Sequence, residues 1–372
     1  MISKKVVALC ATVGVAVSGL AFALPANAEP VSNSYSIVGS DTLEDVVSAI
    51  ANGSNLTGST VRATAGGATI GSFDATGSSS IITKPYGTRF ARPNGSGDGK
   101  LALSRSIDGV GYTSNASGAS GVLPLTIIAD QVDIARSSSA SAENTAGTLW
   151  QVPFGRDAFA YAYDSASTVA GIGTISNADM ANLYLCDATT LATYAVTPVI
   201  PQAGSGTRKD WLSKLGLTET TLKTVSEGGC VTEGQEHDAS ALGINQIMPM
   251  SASRWVAMNT GASFAKMKST TVLGSLVTGQ SPVTGTGISM VPNATYYADT
   301  KWGRDTVLVV EFARIDSTNA KYDANLAALL NPASSQSLAN LTFTGATKAG
   351  TLKGKFGFVA PLSSVAFKIA AS

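Results

Sequence analysis

The five residues Gly204-Ser205-Gly206-Thr207-Arg208 combine two glycines, two hydroxyls and a guanidinium. They follow a short apolar run, Thr197 to Ile200, and precede an amphipathic segment, Asp210 to Leu217. The pattern predicts a strand, a tight turn and a helix N-terminus. In such a turn glycine lets the backbone approach a ligand. The unbonded N–H groups of the first helical turn, with the helix dipole, favour an anion there. Ser205 and Thr207 add hydroxyl donors and Arg208 a full positive charge. The chemistry expected is capture of an oxyanion.

Three more stretches repeat the theme. Tyr35-Ser36-Ile37-Val38 reads as a strand and leads to Gly39-Ser40-Asp41-Thr42, then to Leu43, Val46, Val47 and Ile50 at helical spacing. Ser40, Asp41 and Thr42 are good helix caps as well as possible anion ligands. Pro93 to Lys100 holds Gly95-Ser96-Gly97-Asp98-Gly99 ahead of a possible helix at Leu101. It is no Walker loop, because the glycine spacing is one residue short and Leu101 replaces the required Ser or Thr. Gln131 to Ala135 reads as a buried strand that ends on Arg136-Ser137-Ser138-Ser139, with a helix start possible at Ala140 to Ala142. Trp150 to Tyr163 is the most strand-like segment and suits a connection between domains. Thr306 to Phe312 reads as a strand, and Asn319 to Leu330 as helical. Turns that each follow a strand and precede a helix face one cleft in an open α/β sheet.

Other chemistries fit less well. A serine hydrolase needs a nucleophile elbow, a base and an orienting acid. No G-x-S-x-G occurs, and His237 is the only histidine. It lies in a polar loop with Glu233, Glu236 and Asp238. The expectation is a binding protein, not an enzyme, with no metal and no cofactor. Neither Cys186 nor Cys230 has a CxxC partner, which argues against zinc. Trp211, Trp255 and Trp302 read as core residues rather than ligand platforms.

The chain opens like an exported precursor. Lys4 and Lys5 precede an apolar run to Leu24, and Ala26-Asn27-Ala28 is an A-x-A cleavage pattern. Cleavage after Ala28 would leave 344 residues with 23 basic and 25 acidic side chains. So balanced a charge disfavours nucleic acid or an anionic membrane as partner. A secreted, extracytoplasmic chain with two remaining cysteines predicts a Cys186–Cys230 disulfide, the alternative being two separate thiols.

Taken in order, these motifs resemble the phosphate-binding solute-binding proteins of ABC transporters. Gly39-Ser40-Asp41-Thr42 is similar to that family's Gly-Ser/Ala-x-Thr turn. Gly95 to Gly99 is similar to its Gly-Ser-Gly-x-Gly turn, and Asp133-Ile134-Ala135-Arg136-Ser137-Ser138 to its Asp-Ile-Gly/Ala-x-Ser-Ser segment. Gln202 to Arg208 is similar to its Gly-Ser-Gly-Thr turn. The resemblance covers essentially the whole mature chain.

It implies an α/β, two-lobe periplasmic-binding-protein-like fold (type II), with two crossover strands as hinge. Residues 1–28 would be the signal peptide, 29–155 and 285–372 the first lobe, and 156–284 the second. A second crossover is expected near Gly274 to Gly287. Phosphate or a similar oxyanion would lie between the lobes of a monomer and pass to an ABC transporter permease. The ligand set so implied is Ser40, Asp41, Thr42, Ser96, Arg136, Ser137, Ser138, Gly204, Ser205, Gly206, Thr207 and Arg208. Some members carry a proton-accepting aspartate where this chain has Ser138. Asp41, Glu236 or Asp238 would have to replace it. The rival reading is a secreted surface or adhesion protein that reuses the fold without transport.

Overall fold

The computed structural model describes residues 30, 33–114, 125–166, 174–191 and 193–372. The expected signal peptide therefore lies outside the described residues. Among those described, no helix is long and apolar enough to cross a membrane.

A single ten-stranded mixed sheet organises the chain. Its order is Thr232–Gly234, Thr197–Pro201, Gln246–Ser251, Leu149–Asp164, Gly303–Glu311, Ile134–Ser137, Tyr35–Gly39 and Ile70–Ser72. Thr271–Gly274 and Phe367–Ile369 also pair with the long Leu149–Asp164 strand. The strands starting at Tyr35, Ile70 and Ile134 run parallel to one another. Those starting at Thr197, Thr232 and Gln246 form a second parallel set. The long strand joins the two sets. Its first ten residues pair with Gly303–Glu311, and Phe159 to Tyr163 pair with Gln246–Ser251. Its residues are almost all buried, as a strand covered on both faces requires.

Apolar packing follows the same division. Residues around Ile37, Leu43, Val46, Val47, Ile134, Leu308 and Val310 form one core with the Ala349–Lys355 helix. Phe159, Tyr161, Trp211, Leu212, Ile247 and Trp302 form another. Trp211 is fully buried, with ring centroids 5.9 Å from Phe159 and Tyr184 and 5.5 Å from Trp302. The return between the two parts runs through Gly303–Glu311. Near the expected second crossover, Leu276 packs in the core with Trp211, and Val283 packs against the cluster that holds Met248 and Trp255.

The disulfide Cys186–Cys230 is formed, with Cα atoms 5.8 Å apart. Two local expectations differ. No helix follows Ser139, because Ser141 N–H donates to Gln151 Oε1 (2.7 Å) and Lys100 Nζ donates to Ser141 Oγ, which holds the segment extended. Helix occupies only Ala324–Leu329 of the 319–330 stretch, because Asp323 caps it by accepting from the N–H groups of Asn325 and Leu326.

Candidate functional site

The C-terminal ends of the parallel strands converge, and polar side chains are buried there. Gly39 leads from its strand into Ser40 and a 3-10 turn, Asp41–Leu43, which continues as the Glu44–Asn52 helix. Ser40, Asp41 and Thr42 are buried, yet none caps the helix through its side chain. Asp41 and Thr42 reach across to the other half of the protein instead. Thr42 Oγ1 donates to Glu236 Oε1 (3.1 Å) and accepts from Arg304 Nη2 (3.3 Å). Asp41 lies 3.3 Å from His237 Nδ1 and 3.3 Å from Arg254 Nη2.

The Gly204–Arg208 turn forms the opposite wall. Ser205 is the N-cap of the Gly206–Leu215 helix, its Oγ accepting from Arg208 N–H (3.1 Å) while donating to Glu236 Oε2 (2.5 Å). Thr207 Oγ1 donates to Glu236 Oε1 (2.7 Å) and accepts from Arg304 Nη1 (2.9 Å). At positions N1 and N2, the amides of Gly206 and Thr207 have no intrahelical acceptor. A Cβ on Gly206 would fall 2.3 Å from Ser96 Oγ and 2.6 Å from Ser138 Oγ. Glycine is required there because the hydroxyls of the facing part come in against the bare backbone.

Ser96 and Ser138 are themselves joined. Ser138 N–H donates to Ser96 Oγ (3.0 Å), and the two hydroxyl oxygens are 3.2 Å apart. Backbone contact is direct as well, Gly97 N–H donating to Gly204 O at 3.1 Å. Ser137 Oγ turns back on its own loop and donates to Ser139 O (2.6 Å).

The two arginines expected at the anion are engaged elsewhere. Arg136 donates to Ser40 O (3.1 Å), Gly39 O (3.4 Å), Phe73 O (2.6 Å) and Ser72 Oγ (2.7 Å), so it braces the strand ends from behind. Arg208 pairs with Glu219 (2.7 Å) and Glu233 and donates to Pro201 O (3.1 Å). The guanidiniums that reach the cluster belong to Arg304 and Arg254. Arg304 stands directly opposite Asp157 on the neighbouring antiparallel strand, and its Nε and Nη2 donate to Asp157 Oδ2 at 3.0 and 2.9 Å. It also lies over the Phe159 ring, 4.1 Å from the centroid.

Arg254 follows Ser251, the N-cap of the Ala252–Thr260 helix, and pairs with Asp45 as well as Asp41. No local motif marks Arg304 or Asp157, since register across a sheet joins them. Arg254 did carry a signal: Ser251-Ala252-Ser253-Arg254 follows an apolar strand, as the other turns do. Asp238 serves its own turn, accepting from Ser240 N–H (3.2 Å).

The electrostatics follow from burial. Loss of water alone would raise Asp157, but Arg304 and the Ser253 N–H (3.0 Å) outweigh it and hold the carboxyl below the usual range. Burial pushes His237 down to about 4 against the pull of Glu236. A neutral imidazole that gives its Nδ1 hydrogen to Asp41 leaves Nε2 as an acceptor. His237 adopts a left-handed backbone, φ 58°. Four atoms of this cluster are buried without any hydrogen-bond partner: Ser40 Oγ, Asp41 Oδ1, His237 Nε2 and Arg254 Nε. Buried polar groups are otherwise nearly always satisfied, so these atoms stand apart from the rest of the interior. Among the described residues no group of three His, Cys, Asp or Glu side chains could hold a metal ion.

No family model matches the chain, and no curated protein matches it in sequence. In structure it is similar to an ABC-type phosphate transport receptor from Vibrio cholerae, with 13% identity, 88% of this chain and 100% of that chain covered, and a TM-score of 0.49. It is similar to a putative phosphate ABC transporter substrate-binding protein from Clostridium perfringens, solved with phosphate, with 13% identity, coverage of 88% and 100%, and a TM-score of 0.48. A high-affinity periplasmic phosphate-binding protein, also solved with phosphate, aligns with 15% identity, coverage of 88% and 90%, and a TM-score of 0.46.

Proposed function

We propose that the chain is a secreted binding protein that closes on an oxyanion, inorganic phosphate in the first place, between two α/β lobes, and delivers it to an ABC transporter. The observation that carries this reading is the hydroxyl nest. Thr42 from one part of the molecule and Ser205 and Thr207 from the other already hold one carboxylate, with Arg304 behind two of the three hydroxyls. Neutral hydroxyls and helix-end amides bind an oxyanion by geometry, without bulk positive charge. The atoms without a hydrogen-bond partner add donors at Ser40 and Arg254 and an acceptor at His237, while Asp41 Oδ1 keeps only its ion pair with Arg254 (3.3 Å). An anion that still carries a hydrogen, as monohydrogen phosphate does, satisfies both kinds. In this reading Ser40, Thr42, Ser96, Ser138, Gly206, Ser205, Thr207 and Arg304 meet the ligand, while Arg136 and Arg208 support the walls.

Titration calorimetry on the chain starting at Glu29, with phosphate, sulfate, molybdate and small organic anions, tests the proposal. Saturable heat with phosphate, lost in Thr207→Val, is the expected result. Absence of heat and of thermal stabilisation with every anion rejects it.

A further inference from the structure

Glu236 is held in an unusual way for a buried carboxylate. It is 1% exposed, and among the described residues no lysine or arginine nitrogen lies within ion-pair distance of it. The nearest ionisable nitrogen is His237 Nδ1 at 3.8 Å, on a ring that burial keeps neutral. Three hydroxyls carry it: Ser205 (2.5 Å) on one oxygen, Thr207 (2.7 Å) and Thr42 (3.1 Å) on the other.

Each hydroxyl owns a single hydrogen. Arg304 donates to the oxygens of Thr207 and Thr42, and Arg208 N–H donates to that of Ser205. All three oxygens therefore already accept, and all three hydrogens point to Glu236. While Glu236 stays, these residues have no hydrogen left for another anion. We propose that Glu236 is a built-in occupant of the oxyanion cradle, a tethered carboxylate that an incoming oxyanion must displace before it can use Ser205, Thr207 and Thr42. This rests on reading the cradle as an oxyanion site.

The proposal makes Glu236 a determinant of specificity. A tethered group acts at an effective concentration of about millimolar or above. Acetate and formate offer the same two acceptor oxygens without the tether, so they lose the competition. A tetrahedral dianion brings more acceptors and more charge, and it can win. The setting allows withdrawal. Glu236 lies two residues beyond Thr232–Gly234, a three-residue strand at the edge of the sheet, so moving it breaks no interior ladder. Gln235 before it is exposed, and the left-handed His237 after it already turns the chain sharply.

The test compares the wild-type chain, Glu236→Gln and Glu236→Ala, with inorganic phosphate, sodium acetate and sodium formate as probes, by calorimetry and thermal unfolding. Glu236→Ala should bind phosphate about tenfold tighter or more, a gain equal to one charge-assisted hydrogen bond. It should also be stabilised by acetate and formate, which leave the wild type unchanged. Glu236→Gln keeps the shape, removes the charge and should bind phosphate more tightly too. If Glu236→Ala fails to fold, refolding that is rescued by acetate supports the proposal, and Glu236→Gln decides the affinity arm. Phosphate binding that is unchanged or weaker in Glu236→Gln, with no acetate effect on Glu236→Ala, overturns it and leaves the oxyanion reading standing. No binding by any form to any probe overturns that reading and this inference together.

Discussion

Replacing Thr207 by valine removes one hydroxyl and changes almost nothing else. The two side chains have the same shape, and Thr207 is fully buried, so no cavity opens and no surface is altered. Position 207 is the second residue of its helix and does not cap it. What disappears is a donor to Glu236 (2.7 Å) and an acceptor from Arg304 (2.9 Å). Each of these bonds has a charged partner, and such bonds contribute about 1.5–3 kcal/mol. Losing both should destabilise the protein by about 3 kcal/mol or more, since the groups left behind are buried and cannot turn to water. Urea unfolding measures this as a lower midpoint at unchanged slope. Thr207→Ser is the control. It keeps the hydroxyl and should cost about 1 kcal/mol for the lost methyl. A double-mutant cycle with Glu236→Gln should show coupling of about 1 kcal/mol or more. A loss below about 1 kcal/mol in Thr207→Val, or strict additivity in the cycle, would refute the hydroxyl nest as described.

The same logic gives three shorter predictions. Asp157→Asn leaves the buried Arg304 guanidinium with only the more distant Asp210 (3.9 Å) as counter-ion and should cost about 3 kcal/mol in chemical unfolding, whereas an exposed pair would lose under about 1 kcal/mol. His237 is held neutral in the fold, at about 4 against 6.5 in the unfolded chain, amid Asp41, Glu236, Asp157, Arg254 and Arg304. Because its folded value is the lower one, its contribution is complete above 6.5 and is lost as pH falls towards 4. The stability difference between wild type and His237→Gln should therefore shrink by up to about 3 kcal/mol over that window, and a pH-independent difference would contradict it. The Cys186–Cys230 bridge spans 44 residues around the Gly204–Arg208 turn. Replacing both cysteines by serine should lower stability by about 4 kcal/mol, with reductant having no further effect on the variant.

Much of the architecture could be read from residue patterns. The strands at Tyr35, Ile134, Leu149, Thr197 and Thr306 were marked by apolar runs, and the turns by glycine and hydroxyls, because local periodicity and backbone freedom set those features. The Ala349–Lys355 helix was not legible. Two of its seven residues are glycines and it has no apolar stripe. Tertiary packing holds it: Ala349 and Leu352 are buried in the core, and Gly350 lies against Thr342, where a Cβ would fall 2.4 Å from the carbonyl oxygen. Its buried Lys353 also donates to Phe154 O and Asn340 O, at 2.9 Å each.

At the site the division is sharper. Thr42, Ser205 and Thr207, the hydroxyls that meet at Glu236, could be named as donors from the sequence because their types and their place after a strand imply donors at a helix start. Cys186 and Cys230 could be paired because they are the two cysteines beyond the stretch read as a signal peptide. Of the charges that accompany the hydroxyls, Arg254 had a local signal in its strand–turn–helix setting, whereas Arg304 and Asp157 had none. Arg136 and Arg208 sit inside the motifs, yet the fold turns them to backbone carbonyls and to Glu219 and Glu233. Arg304 sits in no motif, yet antiparallel register sets it opposite Asp157 and between Thr42 and Thr207. Glu236 reads from the sequence only as one of three acids that could supply an acceptor, and its hydroxyl partners are set when two distant turns close around it. A motif fixes which groups a turn can offer. Only the packing of strands far apart in the chain decides where those groups meet, and which carboxylate meets them first.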